Sequence, residues 1–137
     1  MKDKLFQRGL AMRKRVLGAE YVERQFRDAD AFSRPMQELA TRSAWGMVWT
    51  RPGLPLRIRS MLNIAMLVAL GRADELELHL DGALRNGVTQ KEVGEILLQS
   101  AIYCGYPAAL GGFRTARAFF ARRGRRSARP KRSGRRR

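Results

Sequence analysis

Between Met61 and Leu70 the chain reads Met-Leu-Asn-Ile-Ala-Met-Leu-Val-Ala-Leu, apolar at nine of ten positions and free of charge. A bilayer crossing takes about 20 apolar residues, so this run is too short to span a membrane. Leu, Met and Ala favour helix, Pro55 stands upstream, and Gly71 follows as a stop. The pattern predicts a helix over about 55–70 with no polar face from Met61 onward. A helix of that kind belongs at the centre of a fold, with other elements around it. The 137-residue chain is 45% hydrophobic, enough for one domain with a real core. It is also small enough for self-association to help bury the apolar surface that remains.

The other segments also read as helices. A first helix is expected over 3–17, with Leu5, Phe6, Leu10, Val16 and Leu17 as its apolar members, and a short segment over 19–27 follows. Ser33 reads as an N-cap, with Pro35 in the first turn, where a missing N–H costs little. The helix over 35–48 places Met36, Leu39, Ala40, Ala44, Met47 and Val48 on one stripe that should face the core. A helix over 74–85 closes on Asn86-Gly87, a left-handed cap signature. Thr89 and Glu92 form a capping box that opens a helix over 90–103 with the stripe Val93, Ile96, Leu97, Ser100 and Ala101. Gly105-Tyr106-Pro107 breaks the chain, and a last helix is expected from about 107 to 123. No run alternates with period two over a convincing length, so the fold class is all-α.

Charge divides the chain unevenly. It carries 28 Lys/Arg against 12 Asp/Glu, a net +16, and ten of those basic residues with no acid lie in 122–137. This Arg/Lys/Ser/Gly segment has no apolar residue but alanine and proline, so disorder is expected for it and a folded domain for 1–121. Such a tail either neutralises phosphates of nucleic acid or serves as a solvated extension. The second reading weighs more, since no aromatic residue interrupts the charge. A single cysteine, Cys104, excludes an intramolecular disulfide framework and a CxxC dithiol centre. A single histidine, His79, excludes a multi-histidine metal site. The N-terminus is basic but holds no unbroken apolar stretch of the export type, and a cytoplasmic protein is expected.

Few residues are left to carry chemistry. His79 shares a helical face with Leu76, Leu80 and Ala83, which places the one imidazole toward the apolar side. From position alone that suits first a buried histidine satisfied by one hydrogen bond, and second a proton carrier working near neutral pH. Between Leu39 and Ala73 stand Arg42, Arg51, Arg57, Arg59 and Arg72 and no acid. A guanidinium fork suits bidentate capture of carboxylate, although pairing with acids such as Glu38 or Glu75 is the plainer fate of any one arginine. Trp45 and Trp49 lie four residues apart on one face, as core, subunit contact or ligand wall. Glu38 falls on roughly the same side, seven residues before Trp45, where it would serve as a general acid or orient His79 or an arginine. Cys104 reads as a small packed residue.

The ordered series RGLAMR, VLGAEYV, WTRPGL, RSMLNIAML, H-x-x-GALRNGVT and YCGYPAA closely resembles the carboxymuconolactone decarboxylase family over about 5–120. The resemblance implies an alkylhydroperoxidase D-like helical domain in a ring-like homo-oligomer, commonly a hexamer. It implies a cofactor-free enzyme of aromatic catabolism that converts 4-carboxymuconolactone, in the protocatechuate branch of the β-ketoadipate pathway, to the β-ketoadipate enol-lactone and CO2. Peroxidase-type relatives carry CxxCxxxH; with that histidine on His79, the cysteine positions fall on Arg72 and Glu75, neither of them a thiol. Thiol-based peroxide reduction therefore lacks its essential groups here.

The implied substrate is a small dianionic lactone. The electron pair freed with CO2 delocalises through the ring double bond to the lactone carbonyl, so no cofactor is needed as electron sink. What remains for the protein is to stabilise negative charge on that oxygen and to return a proton to carbon. His79 is the candidate for one or both tasks. Arg51 and Arg59 are candidates for the substrate carboxylates, Glu38 for an orienting or second proton-carrying role, and Trp49 for an apolar wall. His79 and Arg51 rest partly on matched family motifs; the other three rest on residue type and placement. Other readings are a relative acting on a different small anion, a peroxidase, and a nucleic-acid-binding protein working through its tail.

Overall fold

Asp3 accepts a hydrogen bond from the Phe6 amide at 3.0 Å and so caps the first helix, α1 (Lys4–Leu17). In the computed structural model, which describes residues 3–129, α2 (Ala19–Asp28) and α3 (Arg34–Ala40) follow. A π-helical segment (Thr41–Trp49) continues α3, and α4 (Leu56–Ala69), α5 (Ala73–Arg85), α6 (Gln90–Cys104) and α7 (Tyr106–Ala128) complete the order. The described residues contain no strand, so the all-α expectation holds.

The expected caps explain most of the boundaries. Leu70-Gly71-Arg72 closes α4 with Gly71 at φ 68°, its amide on Val68 and that of Arg72 on Leu67. Asn86-Gly87-Val88 closes α5 in the same way, with Gly87 at φ 91°. Thr89 and Glu92 make the capping box of α6 reciprocally. Ser33 does not act as the expected N-cap. Its hydroxyl is bonded to Asp30 at 2.8 Å, within a local turn that leaves nothing for the amides of α3.

Two apolar clusters hold the helices together. One joins α4, α5, α6 and α7 through Ile64, Val68, Leu76, Leu80, Val93, Leu97, Ala116 and Phe119. The other joins α1, α2 and the π-helical segment through Val16, Leu17, Val22, Trp45 and Trp49. In the second, α1 passes so close to the π-helical segment that a Cβ on Gly9 would lie 2.0 Å from the Thr41 carbonyl oxygen, and one on Gly46 2.7 Å from that of Leu5. Arg13 is buried at the same crossing and donates to Thr41 at 3.0 Å and Gln37 at 2.7 Å.

Three expectations are corrected here. The stripe Met36–Leu39–Met47–Val48 does not face the core: those four side chains are exposed, and the buried line is Thr41, Trp45 and Trp49. Nor is α4 enclosed, since only Ser60, Ile64 and Val68 are buried while Leu62, Met66 and Leu70 stand outward, Leu70 at 72% exposure. Seven short helices do not supply enough surface to cover a helix on every side. The basic tail does not begin at 122 either. Helix α7 runs to Ala128, anchored by Arg122 on Glu77 and by Arg123 on Asp81 at 3.5 Å. The rest of the expected disordered tail, 130–137, lies outside the described residues.

Candidate active site

The 3.6-residue period of α5 puts His79 on the face that buries Leu76, Leu80 and Ala83, as its sequence predicts. The imidazole lies nearly parallel to Trp45, at 3° with centroids 6.1 Å apart, and 6.3 Å from Trp49. The two indoles themselves stack at 4.8 Å. On the other side, the amide nitrogen of Asn63 on α4 stands 3.4 Å from His79 Nδ1. An amide donor there makes Nδ1 the acceptor and places the ring proton on Nε2. Three elements therefore define one imidazole: α5 carries it, α4 sets its tautomer and the π-helical segment supplies its walls.

Burial among these rings lowers the His79 pKa from 6.5 to about 4, against a smaller upward pull from the Glu75 carboxylate. The ring is neutral at physiological pH and acts there as an Nε2–H donor. Glu75 stands one turn earlier on α5 and is held at 2.7 Å by Arg72. The two positions that carry thiols in peroxidase-type relatives are thus joined by a solvent-facing ion pair.

The fates of the five arginines differ. Arg42 is taken by Asp3 at 2.5 Å and by Glu38 at 3.8 Å, Arg57 by Glu92, and Arg72 by Glu75. Arg51 and Arg59 have no carboxylate partner among the described residues. Arg59 donates one N–H to the Arg51 backbone carbonyl at 3.1 Å, and its buried Nε has no partner. The Arg59 guanidinium thus meets the backbone two residues beyond Trp49, and Arg59 itself stands one turn before Asn63 on α4. Guanidinium groups without a carboxylate partner suit capture of a small anion with acidic groups.

Glu38 is not part of this cluster within one chain; its half-exposed carboxylate turns to Arg42. Trp49 packs on His79. Cys104 is exposed at the end of α6, remote in sequence and in helix from the cluster. Asn63 is the residue that sequence reasoning passed over. Its one signal was that it interrupts an otherwise apolar run. The described residues hold no group of three or more His, Cys, Asp or Glu fit for a metal ion.

Hollows are found at other places on the described residues. One of about 490 Å³ opens between α6 and α7, lined by Val93, Leu97, Leu110, Phe113 and Phe120, and includes none of the candidate residues. Arg51 is exposed.

Over 107 residues the chain is 48% identical to the nitrosuccinic acid decarboxylase of Metarhizium robertsii, covering 78% of this chain and 75% of that one. Over 118 residues it is 41% identical to the 4-carboxymuconolactone decarboxylase of Acinetobacter baylyi, covering 86% and 88%. A family model described as the carboxymuconolactone decarboxylase family matches residues 34–118, which span the π-helical tryptophans, both unpaired arginines, Asn63 and His79. The chain therefore belongs to the carboxymuconolactone decarboxylase family.

Proposed function

We propose that the protein is a carboxy-lyase that decarboxylates 4-carboxymuconolactone to the β-ketoadipate enol-lactone. What supports this reading is a neutral imidazole packed on two indoles, together with two arginines, Arg51 and Arg59, that have no carboxylate partner among the described residues. Arg59 holds the retained acetate group and Arg51 steers the second carboxylate. The departing carboxylate lies against Trp49, where loss of its charge is favoured by an apolar neighbour. As the carbon–carboxylate bond breaks, its electron pair moves through the ring double bond to the lactone oxygen. His79 Nε2–H donates to that oxygen, a contribution strongest where water is excluded. A proton then adds to the ring carbon, so the balance is one CO2 released and one proton taken up. That proton comes from solvent, since the neutral ring's one proton is engaged at the lactone oxygen and Nδ1 faces the Asn63 amide donor.

A second substrate has specific support in the 48% identity to a nitrosuccinic acid decarboxylase. Nitrosuccinate is also a small dicarboxylate with its own sink, because a nitro group takes up the electron pair as a nitronate. The same two arginines and the same Nε2–H donor would serve it.

The bare apolar faces of α3, the π-helical segment and α4 support assembly of several copies, with a hexamer expected from the family, and closure of the site by a neighbouring copy. The test is incubation of the purified protein with each substrate, without added cofactor, while CO2 is followed. Turnover of the lactone is expected, with a loss of about 10²–10⁴-fold in a folded His79→Ala variant. No CO2 from either substrate, or a loss of only a few-fold in that variant, overturns the reading.

A further inference from the structure

Downstream of Glu95 the chain has no Asp or Glu, while twelve Lys/Arg lie between Arg114 and Arg137. Where α5 offers carboxylates, α7 uses them: Arg122 pairs with Glu77 and Arg123 with Asp81. Arg114, Arg117 and Arg125 are left exposed and without an ion pair among the described residues. The helical period brings these three to one side of α7, where with Arg122, Ala118 and Ala121 they line a shallow open concavity of about 410 Å³. Nothing in the decarboxylase reading uses this surface.

We propose that this face of α7 is a docking surface for the phosphate backbone of duplex nucleic acid. From Arg114 to Arg125 the helix rises about 16 Å, at about 1.5 Å per residue. That length matches about five phosphates of one strand, at about 3.4 Å of duplex axis each. Guanidinium forks suit phosphate oxygens, and the small Ala118 and Ala121 between them let a backbone approach closely. A membrane surface fits less well. Beyond Phe120 the helix offers only alanine, arginine, glycine and serine, so it has nothing to insert among acyl chains. Backbone contacts carry no base readout, so binding is independent of sequence and strongly dependent on salt.

The test is filter binding of the full-length protein to a 20-base-pair duplex of arbitrary sequence, over a range of salt, beside the triple variant R114Q/R117Q/R125Q. The native protein is expected to bind at 50 mM salt and to lose at least about 40-fold in affinity by 200 mM, the fall that three phosphate contacts produce at a slope of about 0.9 each. The triple variant is expected to lower the slope of log affinity against log salt by about 3, at about 0.9 per phosphate contact removed. Its CO2 release should match the native protein, which separates this proposal from the catalytic one. Circular dichroism checks that the variant folds; R117Q/R125Q is the second variant, with a loss of about 2 in slope. Failure to bind the duplex at 50 mM salt overturns the proposal. So does an unchanged slope in both variants, which would assign binding to 130–137, or retention of anionic phosphatidylserine vesicles without retention of duplex.

Discussion

Arg59 and His79 are half-buried groups whose neighbours leave them in contrasting states, one charged without a counter-ion and the other neutral. For Arg59 the consequence is a dependence on substrate charge. Arg59→Gln should raise KM for a dicarboxylate by about 10–100-fold, the equivalent of about 1.5–3 kcal/mol for a charge-assisted hydrogen bond. Steady-state kinetics check this, and Arg59→Lys should recover only part of it, because an ammonium group lacks the fork. For His79 the consequence is a dependence of stability on pH. The ring takes up a proton near 6.5 when unfolded but only at about 4 when folded. The unfolded state thus binds more protons between those values, and stability is full above about 6.5 and falls as pH drops toward 4, by up to about 3 kcal/mol. Urea unfolding at pH 7 and pH 4.5 measures it, and His79→Gln should flatten the difference. The apolar direction of His79 was legible because one helix period decides it. The sorting of arginines into paired and unpaired was not, since Asp3 and Glu92 reach Arg42 and Arg57 across the fold from distant parts of the chain.

At the level of the element, the π-helical segment shows how far periodicity carries. Helix position, capping box and both glycine stops were legible because each depends on a few neighbouring residues. The facing of 35–48 was not. The apolar stripe pointed one way and the chain turned the other, because α1 offers Gly9 to Gly46 and admits Trp45 and Trp49 behind that contact. Close approach of two helical backbones requires the absence of Cβ atoms at the crossing. Gly9→Ala should therefore destabilise the protein by about 1–3 kcal/mol, read as a lowered urea midpoint, because the methyl group meets backbone that cannot rotate away. Gly53→Ala, where a Cβ meets nothing within 4 Å, is the control and should leave the midpoint nearly unchanged.

For the whole molecule, the unclosed apolar surface is the main departure from a self-sufficient domain. Met36 at 63% and Met66 at 52% exposure stand outward on α3 and α4, and α4 already packs Ser60, Ile64 and Val68 inward. Assembly with other copies is the proposed cover, and Met66→Glu should break it: sedimentation is expected to show a smaller species with native helix content. If a neighbour also closes the site, turnover falls with it, whereas a site complete in one chain would keep its rate. The sequence made the apolar character of α4 plain but read it as burial within one chain, because composition does not say which body does the covering.

The stacking of Trp45, Trp49 and His79 has a practical outcome. These are the protein's two tryptophans and its one histidine. Tryptophan fluorescence, excited at the red edge where the three tyrosines do not absorb, therefore arises entirely beside the imidazole. A charged imidazolium quenches indole emission more strongly than the neutral ring does, so a label-free titration of emitted light reads the protonation of this one side chain, and an anion entering the site should announce itself in the same signal.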